Sequence, residues 1–320
     1  MRALIIGYGS IGQRHARNLV ALEPNAEVLI LRRSPGEVDG ATVVASVAEA
    51  LAAEPTVAII ASPSASHVDV LPDLVASAIP TYVEKPVVTK QSHVEAVRAA
   101  LAERPGVPHA TGFNLRLLPS LSRARDLVRE GRLGTIVRGS FSAGQWLPDW
   151  RRTADFRQSY STRKDEGGGV IFDLSHELDA ARFLLDDFEI KACATTRLDR
   201  LGIDSESAAT ILGQARSGSL VSVNVDYVAR RPVRRYELVG DKATLIWDLP
   251  QRHLELHGPD GVEIVTERPD DFDVAATYVS ALKSFLAAAS GAEPAFLQSL
   301  EDGLRSTELA IAANQMDTSQ

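Results

Sequence analysis

Cysteine is nearly absent, with one residue, Cys193, in 320. A lone thiol can form neither an internal disulfide nor a multi-cysteine zinc site, so no metal centre is expected. It fits a reducing compartment, and a cytoplasmic location is expected. Long apolar runs are also missing. The N-terminal run at residues 3–6 is too short for a signal core. No later stretch approaches the roughly 18 apolar residues of a membrane span, and no membrane association is expected. Basic charge is in deficit, since 34 Lys and Arg against 42 Asp and Glu leave a net charge of −8. That balance disfavours nucleic acid or an anionic membrane as a partner, although a local basic patch could still take a small anion. Internal repeats and low-complexity stretches are absent as well. What remains is 45% hydrophobic and 24% charged residues, enough to build a sizeable core. The length suits two domains.

The first third alternates short apolar runs with helical patterns. Strands are predicted at residues 3–6, 28–31, 42–45, 57–61, 81–83 and 109–113. Helices are predicted at 11–22, 68–78 and 93–101, where apolar residues recur at helical spacing. Apolar strands without polar alternation imply a parallel sheet covered on both faces, with ligands at the carboxyl ends of its strands. After residue 119 the pattern changes. A helix at 121–130 precedes a β-rich stretch opened by Gly134-Thr135-Ile136-Val137. Strands follow at 208–216, 220–228, 236–239, 244–247 and 253–257, interrupted by a helix at 175–185. Two helices, 275–289 and 300–313, come last. The predicted fold is α/β. A Rossmann-type doubly wound parallel sheet (1–118) precedes an α+β domain with a large, mostly antiparallel sheet (119–320).

Gly7-Tyr8-Gly9-Ser10-Ile11-Gly12 is a complete G-x-G-x-x-G, directly after a predicted strand and opening a helix. Three glycines can simply make a turn, but this context is that of a dinucleotide cradle. The first glycine makes the turn, the second lets a pyrophosphate approach, and the third lets helix and strand pack closely. An NAD site usually carries an acid about 20 residues further on, for the ribose 2′-hydroxyl. Arg32-Arg33-Ser34 stands there instead. Guanidinium groups pair with a 2′-phosphate, so NADP(H) is favoured over NAD(H). A solvated basic turn is the plainer alternative, and an Arg can also stack on adenine in either cofactor.

Further motifs sit at the ends of later strands. Ala61-Ser62-Pro63-Ser64-Ala65-Ser66-His67 follows the fourth strand and Glu84-Lys85-Pro86 the fifth. With the glycine loop running on into Gln13-Arg14-His15, then Gly112-Phe113-Asn114-Leu115-Arg116, Gly167-Gly168-Gly169 and Asp173-Leu174-Ser175-His176-Glu177-Leu178-Asp179, they resemble the glucose–fructose oxidoreductase / inositol dehydrogenase (Gfo/Idh/MocA) family. The resemblance covers essentially the whole chain and is specific for the family, not for a substrate.

The resemblance implies a catalytic role for Lys85. A lysine beside a bound hydroxyl can exchange its proton while hydride leaves the carbon; on position alone it could equally be a surface lysine before a proline turn. The resemblance also implies a cis bond between Lys85 and Pro86, and cofactor contacts from Ser62, Pro63 and His67 on the nicotinamide side and from Glu84 and Lys85. His67 could alternatively be a helix-start histidine with no ligand. His176 and Asp179 fall on one helical face, so His176 could take the hydroxyl proton and Asp179 orient it. Many family members place an Asp four residues before this His, whereas Asp173 is three before it. Two readings of Asp173 follow, a catalytic partner or a helix N-cap. Asn114 and Arg116 are substrate-binding candidates.

The stretch 145–164 carries two of the three tryptophans, Trp146 and Trp150, with Arg151, Arg152, Arg157, Arg163 and Lys164. Its length and lack of periodicity mark a functional loop. Aromatic faces suit sugar rings and arginines suit carboxylates or phosphates, which makes Trp150, Arg157, Tyr160 and Arg163 substrate-binding candidates. The loop resembles those of family members from surface-polysaccharide and nonulosonic-acid pathways. An oligomer contact would use the same residue types.

The expected function is therefore an NAD(P)-dependent dehydrogenase or reductase acting on a secondary hydroxyl of a sugar, inositol, sugar acid or nucleotide-sugar. A non-catalytic NAD(P)-binding regulator of the same fold is the alternative. It has no need of Lys85 and His176, which are both present. A third reading keeps the cofactor bound between turnovers. Lys85 and His176 are expected to meet at one substrate hydroxyl. A homodimer or homotetramer through the second sheet is implied by the resemblance; Val221, Val223 and Val225 alternate there with Ser222, Asn224 and Asp226, leaving a polar outer face.

Overall fold

Apolar strands that lack polar alternation must be covered on both faces, and the first part of the chain uses them that way. A computed structural model describes residues 1–32, 36–150, 155–294 and 296–316. The chain divides into two units. The first takes Met1–Asn114 and Ala275–Thr307; the second takes Leu115–Val274 and the residues from Glu308 on. The return of Ala275–Thr307 to the first unit has no counterpart in the sequence reading.

The first unit contains β1 (Arg2–Ile6), α1 (Ser10–Leu22), β2 (Glu27–Leu31), β3 (Thr42–Val44), α2 (Val47–Ala52), β4 (Val57–Ile60), α3 (Leu71–Ala76), β5 (Thr81–Val83), α4 (Gln91–Glu103) and β6 (His109–Thr111). The six strands form one parallel sheet in the order β3-β2-β1-β4-β5-β6. The order reverses direction between β1 and β4, which opens a crevice at their carboxyl ends. The buried run Ala3–Ile6 and the fully buried Val57–Ile60 form its centre. Helix α2 was not expected, although its start is capped: the Ser46 hydroxyl accepts from Glu49 N–H (3.1 Å), and the Glu49 carboxylate reaches back to accept from Ala45 N–H, one residue before the cap (2.8 Å).

The returning segment completes this unit. Ser299 bridges to Ala110 beside β6, and the Gln298 carbonyl accepts from Thr111 N–H at 3.1 Å. On the helical segment that follows, Gly303 lies so close to β6 that an added Cβ would strike the Thr111 side chain.

The second unit contains α5 (Pro119–Arg129), β7 (Ile136–Gly144), α6 (Leu147–Trp150), α7 (Val170–Asp173), α8 (His176–Leu185), β8 (Phe188–Thr196), β9 (Ala208–Ala215), β10 (Leu220–Asp226), β11 (Val233–Gly240), β12 (Thr244–Asp248), β13 (His253–Gly258) and β14 (Gly261–Thr266). Helices α9 (Val274–Ala289) and α10 (Leu300–Gln315) close the chain, and the division between units falls inside α10. The eight strands run β14-β13-β12-β11-β7-β10-β9-β8. The sheet is antiparallel except where β10 lies parallel to β7. Alternate residues of β9 and β10 are buried, so one face packs and the other is open. The packed face holds the stacked rings of Tyr236 and Trp247, 4.6 Å apart. The Trp247 indole N–H donates to the Ser120 hydroxyl of α5 at 3.0 Å.

Candidate active site

The glycine loop shapes a cavity of about 740 Å³ in the first unit. Gly7 has φ +88°, and a Cβ there would come within 2.6 Å of Ser62 Cα, so the turn after β1 fits only a glycine. A Cβ at Gly12 would strike the Gly7 carbonyl oxygen, so this glycine seats α1 against the loop. A Cβ at Gly9 would meet nothing within 4 Å, and Gly9 lines the cavity. This is the space a pyrophosphate needs. Ser10 and Ile11 form the first turn of α1, which carries no acid and no side-chain cap. Its orphan N–H groups suit an anion. The residues present therefore fit a dinucleotide.

Gly7, Tyr8 and Gly9 line one part of the wall, Ser62 and Pro63 another, and Arg32 and Glu37 the end beyond β2. Arg33 and Ser34 lie outside the described residues. Glu37 was not anticipated. It stands five residues past Arg32, whereas the spacing rule directs attention to the strand end itself.

His67 does not line this cavity; its expected ligand contact is replaced by a packing role. The ring is fully buried, with Nε2 3.0 Å from the Ser62 carbonyl and Nδ1 3.0 Å from the Val87 carbonyl. A neutral ring donates to only one of them. Burial holds the pKa below the ordinary histidine value, against both carbonyls and the Glu84 charge, which pull it up. His67 thus ties Ser62, in the cavity wall, to the segment that carries Lys85. Lys85 is half-buried just after β5, and its bond to Pro86 is cis. The Glu84 carboxylate lies 2.7 Å from Nε2 of the buried His15. Beside them Tyr82 is held well above the usual phenol range, first by burial and then by the Glu84 charge.

In the second unit, His176 opens α8 and is half-buried. Its neighbour Glu177 is fully buried, with Oε1 2.7 Å from Arg234 Nε and accepting from the Tyr236 hydroxyl at 3.1 Å. Burial, and after it the Glu177 charge, push the Tyr236 hydroxyl well above its ordinary pKa. None of these three was singled out beforehand, because an ion pair between α8 and β11 leaves no local signature. Asp179 forms a buried bidentate pair with Arg116 at 2.8 and 2.6 Å. The sequence reading names both residues as site candidates but does not pair them with each other. Asn114, of the first unit, is also buried and donates to Thr277 at 2.7 Å. Asp173 ends the separate helix α7 and accepts from the Tyr227 hydroxyl at 3.1 Å, while Ser175 holds the N-cap position of α8. Asp173 is therefore not that cap.

The glycine triplet serves the fold of its own loop. A Cβ at Gly168 would come within 2.5 Å of the Tyr160 carbonyl oxygen, and one at Gly169 would strike the Glu206 carboxylate. The long loop is ordered by three short 3-10 turns, Phe156–Gln158, Tyr160–Thr162 and Lys164–Glu166. Arg157 stacks on Phe156 at 4.6 Å and donates to the Leu201 carbonyl at 3.1 Å. Arg163 pairs with Glu166 at 2.6 Å. Tyr160 is half-buried, and Trp150, 41% exposed, stands edge-on to Tyr227 at 6.4 Å. Arg230 covers the Trp146 ring at 3.7 Å. Arg151 and Arg152 lie outside the described residues. Among the described residues no His, Cys, Asp and Glu group is arranged to hold a metal ion, and no helix is long and apolar enough to cross a membrane.

Comparison with known proteins agrees with this geometry. Residues 1–111 match a model described as an oxidoreductase family with an NAD-binding Rossmann fold. Residues 121–246 match the GFO/IDH/MocA C-terminal domain. The chain is 33% identical over 142 residues to a myo-inositol dehydrogenase of Streptomyces leeuwenhoekii, covering 42% of this chain and 43% of the relative. It is 30% identical over 218 residues to a D-apiose dehydrogenase of Paraburkholderia graminis, covering 66% and 55% respectively. The chain thus spans about half the length of these curated relatives. A levoglucosan dehydrogenase solved in complex with NADH superposes with a TM-score of 0.85 at 18% identity, covering 99% of this chain and 98% of that one. At that identity the likeness speaks for the fold. Both halves of the family's architecture are matched in order along the chain, and it belongs to the Gfo/Idh/MocA oxidoreductase family.

Proposed function

We propose that the protein is an NAD(P)-dependent dehydrogenase acting on a CH–OH group of a sugar, inositol, sugar acid or nucleotide-sugar. The carrying observation lies within the first unit. A glycine cradle with open space above Gly9 shares a wall with Ser62, and His67 joins Ser62 to the turn that holds Lys85. A bound nicotinamide supplies the hydride acceptor for oxidation. Lys85 Nζ takes the hydroxyl proton as the carbon–hydrogen bond breaks, and returns it in reduction. His176 is assigned a second proton-holding role. The sugar or polyol class is supported by the names of the inositol and apiose relatives and by the partly exposed Trp150 and half-buried Tyr160, which offer rings for a sugar face.

NADP(H) is favoured over NAD(H) because Arg32 lines the cavity beyond β2. Glu37 shares that wall; a carboxylate repels a 2′-phosphate and accepts from a 2′-hydroxyl, so the preference is expected to be small. Arg32→Ala should weaken NADPH more than NADH, and Glu37→Gln should strengthen NADPH alone, both read as dissociation constants by fluorescence titration. A homodimer or homotetramer is assigned to the open sheet face, where Leu212, Leu220, Val262 and Ile264 are 49–59% exposed among polar neighbours. The single cysteine supports a cytosolic setting.

The test is a screen of sugars, inositols and nucleotide-sugars for NADP⁺ and NAD⁺ reduction, run beside Lys85→Ala. At least one compound should be oxidised, and Lys85→Ala should lose about 10²-fold or more in turnover with cofactor affinity retained. Intact cofactor binding with no turnover of any compound would replace the enzyme by the non-catalytic regulator.

A further inference from the structure

We propose that the buried His15–Glu84 pair is a positioning device for Lys85, an assignment that rests on reading Lys85 as the acid/base. The His15 side chain is fully buried and that of Glu84 is 12% exposed, with Nε2 and Oε1 2.7 Å apart. Neither residue lines the cofactor cavity. His15 Nδ1 is buried with no hydrogen-bond partner. The ring proton therefore belongs on Nε2, and the ring has Glu84 as its hydrogen-bonding partner. Its orientation is set by edge contacts with Tyr82 and Tyr278, at 5.3 and 6.3 Å between centroids. Arg14 covers Tyr278 from outside at 4.5 Å. On the other side of the carboxylate, a Cβ at Gly112 would lie 2.9 Å from Glu84 Oε2, so the missing side chain leaves room for it.

The remaining anchors bracket the same residue. Glu84 N–H donates to the Ile60 carbonyl at 2.9 Å. Val87 N–H donates to the Thr307 hydroxyl at 3.1 Å, and the Val87 carbonyl faces His67. The chain is therefore held immediately before and shortly after Lys85. Of these anchors, the Glu84 side chain is the one that joins the turn to α1, the helix seated on the glycine loop. Removing a buried polar pair in favour of apolar packing often leaves stability unchanged or improved. Positioning gives this pair a role that stability does not.

The test uses the full chain with His15→Phe, which fills the space without a donor, and His15→Gln, whose side-chain amide can replace Nε2–H. Lys85 is acetylated with acetic anhydride and its rate is compared by mass spectrometry with those of Lys191 and Lys242. Cofactor affinity is read by NADH fluorescence, and kcat and KM are measured on the compound identified by the screen. His15→Phe should change the relative Lys85 rate by about threefold or more and lower kcat about tenfold, with KM and NADH affinity within about twofold. His15→Gln should recover most of both losses. If His15→Phe does not fold, His15→Asn, too short to reach Glu84, replaces it. Unchanged Lys85 labelling in the donor-less variant, or equal damage in the Gln variant, overturns the proposal. If Lys85→Ala turns over as fast as wild type, the acid/base reading fails, and the labelling ratio alone still decides whether the pair positions Lys85.

Discussion

At Gly9 and Gly12 one added methyl group should separate cofactor binding from folding. Gly9 is compatible with a side chain and opens on the cavity, so Gly9→Ala should leave the melting temperature unchanged and weaken NADPH and NADH about tenfold or more. Gly12→Ala drives a Cβ into the Gly7 carbonyl and should lower the melting temperature before any cofactor is added. Calorimetry with and without NADPH reads both. His109 offers a second prediction at this scale. Its ring nitrogens are buried without hydrogen-bond partners, and burial lowers its pKa to about 4. The unfolded chain then binds a proton near pH 6.5 that the folded chain refuses. Stability should fall as pH drops from about 6.5 toward 4, by at most about 3 kcal/mol from this residue. His109→Leu should flatten that part of an acid denaturation series; an unaltered slope would contradict it.

Among the elements, α8 is held by charge as well as by apolar packing. Glu177 is buried against Arg234, and Asp179 against Arg116. Removing one partner leaves a buried charge uncompensated, so Glu177→Ala and Arg116→Ala should each cost about 3–5 kcal/mol in urea unfolding. Removing Arg234 together with Glu177 should recover part of that loss. These pairings were not legible in the sequence. Each joins residues far apart in the chain, and a carboxylate on a helix face reads the same whether it faces solvent or a buried guanidinium. Much of the sheet was legible, because unbroken apolar runs such as Val57–Ile60 admit few other uses. Strand β14 was missed since most of its residues are exposed and no alternation marks them. Strand β8 was missed for another reason: a bulge between Ile190 and Ala192 breaks its period. The glycine cradle was readable because its roles follow from backbone space alone. Glu37 was hidden because the strand pattern stops at Leu31, and the engagements of Asn114, Arg116, Arg157 and Arg163 were hidden because no helix or strand period marks their partners.

For the whole molecule, the net charge of −8 disfavours association through unscreened contact. The outer face of the second sheet mixes its exposed Leu and Val with serines and ion pairs such as Arg138–Glu237 at 2.7 Å. A wet interface follows if that face is used. Light scattering at micromolar concentration should give a dimer or tetramer, and Leu212→Asp with Leu220→Asp should shift it toward monomer without loss of helicity. The order in which the chain is made carries a different constraint. Val87 waits for Thr307, Thr111 for Gln298 and Gly303, and Tyr82 for Phe285. On the ribosome, therefore, all six strands of the first sheet emerge long before the segment that seals the β6 side, and the entire second sheet must be translated in between. A nascent chain arrested near residue 120 should remain open to protease along β5 and β6. A circular permutant that joins the returning segment directly to the N-terminal sheet should close that unit early.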